Sequence, residues 1–390
     1  REPSVRPSPD MQYRFAAHAP PRPFARPLVV GAGPCGLFAA LILAQSGFRP
    51  IILERGKAVR ERTKDTWGLW RRSVLDPESN VQFGEGGAGT FSDGKLYSQV
   101  KDPRHLSRKV LHEFVKAGAP EEILTEAHPH IGTFRLVTMV ERLRQTIEEL
   151  GGQYRFGSKL AGLKIEDGQL RGVTLESGEE IEADHVVLAP GHSARDTFQM
   201  LHDRGVAIDA KPFSLGLRIE HPQGMIDRAR FGRSIPQIGA AEYRLVHHAT
   251  NGRSVYSFCM CPGGTVVAAT SEPNRVVTNG MSQYSRNERN ANAGIVVAIT
   301  PEVDYPGHPL AGIALQRQWE SAAFAAGGGD YRAPAQLVGD FIAGKPSTAL
   351  GEVIPSYRPG VTPTDLSPCL PRYAIAAIRE ALPAFGRQIK

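Results

Sequence analysis

Gly31-Ala32-Gly33-Pro34-Cys35-Gly36 has the spacing GxGxxG, and Glu54 stands eighteen residues after its last glycine. Residues of these types at this spacing bind phosphate and ribose. Gly31 permits a tight turn, Gly33 lets backbone approach a diphosphate, and Gly36 lets a helix pack against the preceding strand. The helix start offers free N–H groups to phosphate charge, and a strand-end carboxylate accepts from ribose hydroxyls. The setting gives the motif its weight. Leu28-Val29-Val30 reads as a buried strand before it. Leu37, Ala40, Leu41 and Ala44 recur at helical spacing up to Ser46 and Gly47, and Pro50-Ile51-Ile52-Leu53 reads as a second buried strand ending at Glu54. Together they predict a βαβ unit with a parallel sheet that binds a dinucleotide, NAD(P) or FAD.

Other clusters must be weighed against it. Gly84-Glu85-Gly86-Gly87-Ala88-Gly89 repeats GxGxxG without a strand–turn–helix setting. Gly89 to Lys95 resembles a P-loop, but Leu96 stands where Ser or Thr should meet magnesium, and Asp93 puts negative charge in the phosphate cradle. A nucleoside triphosphatase is rejected. The run Gln82–Leu96 reads instead as a Gly-rich loop whose backbone can lie close to a flat ligand, or as a plain loop. Cys259-Met260-Cys261 places two thiols on one side of a strand, which suits buried structural thiols first, then ligand-lining or redox-active ones. His192, just after Gly191, is a polar candidate near a cofactor. His247 and His248 point to opposite faces of a strand, so no metal site is expected. Cys35 reads as a packing residue, and Trp67, Trp70 and Phe83 as core.

These residues need elements to hold them. Leu106, Val110, Leu111 and Phe114 mark one helix; Leu136, Val140, Leu143, Ile147 and Leu150 mark a clean amphipathic one stopped by Gly151-Gly152. Period-two segments around 160–165, 170–175 and 180–183, parted by Asp167-Gly168 and Ser177-Gly178, predict an antiparallel meander. It runs into a buried strand, His185 to Ala189, that ends in Pro190-Gly191. A meander in this place, with no second credible fingerprint, favours FAD over NAD(P). From about residue 204 the pattern is more irregular, with short strands and Gly/Pro turns, and a domain change is placed there.

Composition sets the limits. With 41% hydrophobic and 22% charged residues in 390, wholesale disorder and a single small domain are both excluded. The longest apolar run, Leu37–Ala44, is far short of a membrane span. Of the net charge of +6, the segment Arg55–Arg72 carries +5. So local an excess reads as a solvated helix face, or as a clamp for a phosphorylated small ligand, and not as a nucleic-acid surface. Four sparse cysteines point to a reducing compartment, the cytoplasm.

GAGPCG, ILERG, VQFGEGGAGTFSDGKLYSQVKDP, PHIGTFRL, VVLAPGHSARDTF and SFCMCPGGTVVAATSE resemble the largely uncharacterised FAD-dependent dehydrogenases, part of the wider glutathione-reductase-type flavoproteins. The resemblance runs from about Pro27 to Lys390. It implies an FAD-dependent oxidoreductase with no established substrate, with NAD(P)H as a possible electron donor. Carried over residue by residue, it places Gly31, Gly33, Pro34, Cys35, Gly36, Glu54 and Arg55 at the ADP half and Leu160 at adenine. Ala189, Pro190 and Gly191 then line the cofactor. Gly87, Thr90, Phe91, Ser92, Asp93, Gly94 and Lys95 sit by the isoalloxazine. No catalytic acid or base stands out; Lys95, His192, Cys259 and Cys261 are weak candidates. The expected fold is α/β: a Pro-rich tail at 1–26, a doubly wound Rossmann-type FAD domain with β-meander at 27–203, and a mixed α+β substrate-side domain at 204–390. Relatives usually continue into a closing strand and Gly-rich turn, so this chain is expected to stop short of it and to hold FAD weakly. The alternatives are an NAD(P)-only dehydrogenase and a non-catalytic flavin-binding or RNA-associated protein.

Overall fold

A computed structural model describes residues 8–98, 100–232 and 238–389. The first seven residues of the Pro-rich segment lie outside it. Strand β1 (Leu28–Val30) leads into helix α1 (Pro34–Gln45) and strand β2 (Ile51–Leu53). There follow α2 (Val59–Arg72), α3 (Leu106–Lys116), α4 (Thr133–Glu149), β3 (Gln153–Arg155), β4 (Leu160–Glu166), β5 (Gln169–Leu175), β6 (Glu180–Glu182), β7 (Val186–Leu188) and α5 (Arg195–Asp203). Strands β3-β2-β1-β7 form a parallel sheet in that order, and β4-β5-β6 form the antiparallel meander.

Alternation along strands buried on both faces builds three layers here. Val29 and Ile52 point to α1 and α4, packing with Leu37, Leu41, Val140 and Ile147. Leu28, Val30 and Leu53 point the other way, to Leu160, Leu163 and Val173 of the meander. Each of these fully buried aliphatic side chains stabilises the fold by roughly 1.5–3 kcal/mol.

The second half is more regular than its sequence suggests. It comprises β8 (Phe213–Pro222), α6 (Gln223–Phe231), β9 (Val246–His248), β10 (Ser254–Cys261), β11 (Gly264–Ala268), β12 (Thr278–Ser282) and β13 (Asn290–Ile299). Then come α7 (Pro301–Asp304), α8 (Ala311–Gly327), β14 (Ala333–Ala335), α9 (Val338–Ala343), β15 (Val361–Pro363) and α10 (Arg372–Gln388). Two ten-residue strands, β8 and β13, pair along their whole length in the antiparallel sheet β8-β13-β10-β9. Ala291, Ala293, Ile295 and Val297 pack against Ala374, Ile375, Ala377, Ile378 and Ala381 of α10. The other face of this sheet carries Arg218 and Asn292.

The two halves are tied together at several points. Trp70 Nε1 donates to Ala268 O at 2.8 Å, and Arg195 binds Glu272 and Glu320 at 2.8 and 2.6 Å. Among the described residues, no helix is long and apolar enough to cross a membrane.

Candidate functional site

Helix α1 starts at Gly33 with no side-chain cap and with Pro34 in its first turn, so its leading N–H groups are left to a ligand. The three glycines of the fingerprint differ in what demands them. A Cβ on Gly31, whose φ is +99°, would lie 2.2 Å from Ala189 O, and one on Gly36 would lie 1.8 Å from Gly31 O. Packing of the chain on itself therefore explains those two. Gly33 has an ordinary φ of −74°, and a Cβ there meets nothing nearer than Gly87 Cα at 3.7 Å. The fold alone gives no reason for a glycine at 33; a close ligand does.

Above Gly33 lies the second glycine loop. Gly86 N donates to Ala32 O at 2.8 Å, and Gly87, at φ +60°, could not carry a Cβ without coming within 2.9 Å of Gly33 Cα. A one-turn 3-10 helix, Ala88–Phe91, follows. Ser92 Oγ donates to Gly89 O and accepts from Gly94 N, which fixes the end of the loop. The buried Thr90 Oγ1 has no partner among the described residues.

Glu54 is not the free strand-end carboxylate that the sequence suggests. It is buried, and it accepts from Ala32 N at 2.7 Å, Gly56 N at 2.9 Å and Gly84 N at 3.0 Å. One side chain thus joins the fingerprint, the turn after β2 and the second glycine loop. An ionised carboxylate has about four acceptor positions, so one remains on Oε2 for a ribose hydroxyl. Leu160, expected at adenine, is packed into the core beneath the meander, next to the residues that pair with this turn: Ser158 N donates to Glu54 O and Gly157 N to Gly56 O.

Most of the basic segment is a solvated face, with Lys57, Arg60, Lys64, Arg71 and Arg72 exposed, but Arg62 and Arg55 are not part of it and form no phosphate clamp. Arg62 is 0% exposed and donates to the carbonyls of Asn80, Val81, Gly84 and Glu85, with its guanidinium 4.9 Å from the centre of the Phe91 ring. Burial lowers its pKa to about 10, against the raising effect of Glu54 and Glu85. Arg55 is occupied by Glu78 at 2.6 Å and by both oxygens of Asp196 at 2.9 Å, over the Phe83 ring. It has no free fork for a diphosphate. Phe91 is likewise turned into the core against Trp70, so at that position only backbone can meet a cofactor.

At the far end of the loop, Asp93 is buried and paired with Arg286 from the second half. Lys95 Nζ donates to Met260 O on β10, between Cys259 and Cys261. The structure therefore gathers three of the four weak catalytic candidates. His192 stands apart with Arg195 and Glu320; it keeps an exposed face, and desolvation by the groups around it, with the Arg195 charge, lowers its pKa. Nearby, His130 stacks on Tyr284 with ring centres 5.1 Å apart, and Arg135 lies 3.6 Å above the Tyr284 ring. A cleft of about 240 Å³ opens among Tyr97, Ala127, His128 and Arg244.

Three smaller expectations also change. Cys35 is exposed at the α1 start instead of packed, and Trp67 is 41% exposed beneath Arg71, whereas Trp70 and Phe83 are core. His247 binds Glu380 at 2.9 Å, and His248 meets Ser254 at 3.0 Å. Sequence reasoning missed Arg62, Arg286 and Arg218 as site-building residues. A lone arginine carries no signal of a partner that lies far away in the chain.

The observations that bear on FAD agree. An uncapped helix start, a glycine at 33 that packing does not require, and a facing loop of glycines fit a flat diphosphate cofactor. Residues 25–200 match the family model for an FAD binding domain, and residues 212–390 match that for the FAD-dependent protein, C-terminal domain-like. An uncharacterised protein of Clostridium beijerinckii is 50% identical over 370 residues, which is 94% of this chain and 69% of that protein. Among solved structures, L-amino acid deaminase from Proteus vulgaris aligns at 14% identity and TM-score 0.35, over 63% of this chain and 70% of that one. The 3-ketosteroid-delta4-(5alpha)-dehydrogenase from Rhodococcus jostii aligns at 15% identity and TM-score 0.34, over 60% and 66%.

Proposed function

The chain belongs to the family of FAD-dependent proteins, an FAD-dependent oxidoreductase with FAD as its cofactor, and from that premise we propose where the cofactor lies and what each half does. Residues 27–203 hold FAD, and 204–390 cover its reactive end and face the substrate. The diphosphate lies against Gly33 and the free N–H groups of Cys35 and Gly36, where the helix start favours negative charge. Glu54 offers its remaining acceptor position to the adenosine ribose. Ala189, Pro190 and Gly191 line the middle of the cofactor, and the backbone of Gly87 to Lys95 borders the isoalloxazine. The observation that carries this placement is Gly33, which the fold does not need as glycine.

When bound, FAD supplies the capacity to take up and give back a hydride. The chain's own residues position and polarise. Lys95 gives one of its three N–H groups to Met260 O and keeps two for the edge of the ring system, where its charge favours negative charge. Asp93, held by Arg286, fixes the loop that carries Lys95. The second half excludes water from above through β10 and β12. The reading also puts the protein in a reducing compartment, the cytoplasm, which its four sparse cysteines support.

Denaturing the purified protein and identifying the released small molecule by mass tests this reading against an NAD(P)-only enzyme. FAD is expected, up to about one per chain when FAD is supplied during purification. Release of a nicotinamide nucleotide without flavin would overturn the placement.

A further inference from the structure

The sheet of the second half carries a buried polar cluster whose two thiols the proposed FAD site does not use. Strand β10 breaks register with β13 between Phe258 and Cys261, and within this bulge Cys259 adopts a left-handed φ of +49°. A non-glycine residue rarely takes that conformation, and such strain is typical of functional positions. Across the bulge Cys261 Sγ donates to Cys259 O at 3.4 Å; Cys261 is buried, Cys259 is half-buried, and Phe258 beside it is 62% exposed.

Several charged groups surround the pair. Arg218 of β8 donates to Asn292 Oδ1 at 2.5 Å and approaches Cys259 O at 3.5 Å. Lys95 binds the Met260 carbonyl between the two cysteines. A Cβ on Gly280 of β12 would lie 2.9 Å from Cys261 Sγ and 2.5 Å from Arg218 Nη1, so sulfur and guanidinium share one small space. Asn292, opposite Cys261 on β13, is 0% exposed, and its Nδ2 has no partner among the described residues. Asp93, a carboxylate that opposes ionisation of Cys259, is paired with Arg286. Hydrogen bonding from the Cys261 thiol holds Cys259 well below the usual thiol range; burial opposes this, and Arg218 and Lys95 add to it. Cys261 moves the opposite way, because it donates to Cys259 and is buried.

We propose that Cys259 and Cys261 form a two-thiol oxidation site for peroxides, with Cys259 the attacking sulfur and Cys261 the resolving one. The Cys259 thiolate attacks one peroxide oxygen and breaks the O–O bond. Sulfur loses two electrons and becomes a sulfenic acid, and the displaced hydroxide takes a proton and leaves as water. The sulfur of Cys261 then attacks Cys259 and displaces the second hydroxide, which leaves as water with the proton of Cys261. In sum, two thiols and one hydrogen peroxide give one disulfide and two waters. A small thiol reductant returns the pair to its starting state. The cations of Lys95 and Arg218 keep the attacking sulfur ionised, and Asn292 Nδ2 is placed to donate to a sulfur or oxygen anion beside Cys261. This chemistry does not depend on where the flavin lies.

The test uses the purified full chain and hydrogen peroxide, followed by thiol titration, dimedone labelling and peptide mass mapping. The wild-type protein should lose two thiols per peroxide consumed, both in the 254–261 strand, with no dimedone adduct. Cys259 should react about tenfold or more faster than free cysteine at pH 7, because its lowered pKa leaves more of it ionised than the few per cent of free cysteine. Cys261→Ser should accumulate a dimedone adduct at Cys259. Iodoacetamide alkylation of the untreated wild type checks the attacking sulfur without any substitution: its rate should reach half-maximum at a pH below the ordinary thiol range. Lys95→Gln should slow that alkylation at pH 7 about threefold. Equal reaction of Cys259 and free cysteine, or a stable sulfenic acid in the wild type, would overturn the proposal, whatever the flavin content.

Discussion

Glu54→Ala should lower the melting temperature sharply and release FAD, even though the residue lies at the end of a strand. Its carboxylate is the shared acceptor for Ala32, Gly56 and Gly84, so truncation leaves three buried N–H groups without a partner. Each costs about 1–3 kcal/mol, so a loss of about 3 kcal/mol or more is expected. For a domain of roughly this size that is about 6–12 °C. Because two of the three donors belong to the glycine loops that face one another, FAD affinity should fall about tenfold or more alongside stability. Glu54→Gln keeps one oxygen, but turns an amide toward N–H donors, so it should recover only part of each loss. Scanning calorimetry and FAD titration of the three proteins give both readouts. A variant as stable as wild type would mean that the loops close without this carboxylate.

The larger effect should come from Arg62→Met. Arg62 lies fully inside the protein and reaches four carbonyls of the segment 80–85. A Cβ on Gly84 would lie 2.3 Å from its Cδ, which shows how closely the loop is wrapped around it. Methionine fills much of the volume but satisfies none of the carbonyls, and Glu85 loses a neighbouring cation. Removing one partner of a buried charged network typically costs about 3–5 kcal/mol. The expected outcome is a protein that is mostly unfolded or insoluble at 37 °C and free of flavin when recovered. Arg62→Lys should fail nearly as badly, since an ammonium cannot spread its donors as a guanidinium does. Chemical denaturation of the recovered protein measures the loss. A normally folded Arg62→Met with bound FAD would show that the second glycine loop is held by its own turns.

What could be read in the chain was local. Gly31, Gly33 and Gly36 lie between two short apolar strands, so the βαβ unit is visible within about thirty residues. The meander declared itself through Asp167-Gly168 and Ser177-Gly178, and α4 through its regular apolar spacing. The second half was harder for a physical reason. Strand β13, Asn290–Ile299, alternates through alanines that pack against alanines of α10, and such small residues give little strand or helix contrast. The site itself depends on partners far apart in sequence. Asp93 meets Arg286, 193 residues on, and Lys95 meets Met260, 165 residues on. Neither pairing leaves a trace in local spacing. The bulge at Cys259 was invisible for the same reason, since it arises from the register of β10 against β13.

Gly33→Ala gives the most direct measurement of the placement of FAD between the two glycine loops. In the protein alone the added methyl has room, 3.7 Å from Gly87 Cα, and φ at this position suits alanine. The cost to the flavin-free protein should stay within about 1 kcal/mol, that of alanine in place of glycine at a helix N-cap. With FAD present, the same methyl occupies the surface against which the diphosphate lies. Titration of the flavin-free wild type and variant with FAD, followed by quenching of flavin fluorescence, should show affinity reduced about a hundredfold, while the melting temperatures of the two flavin-free proteins remain close. Equal affinity for FAD in both, with both folded, would contradict the placement and move the diphosphate away from Gly33.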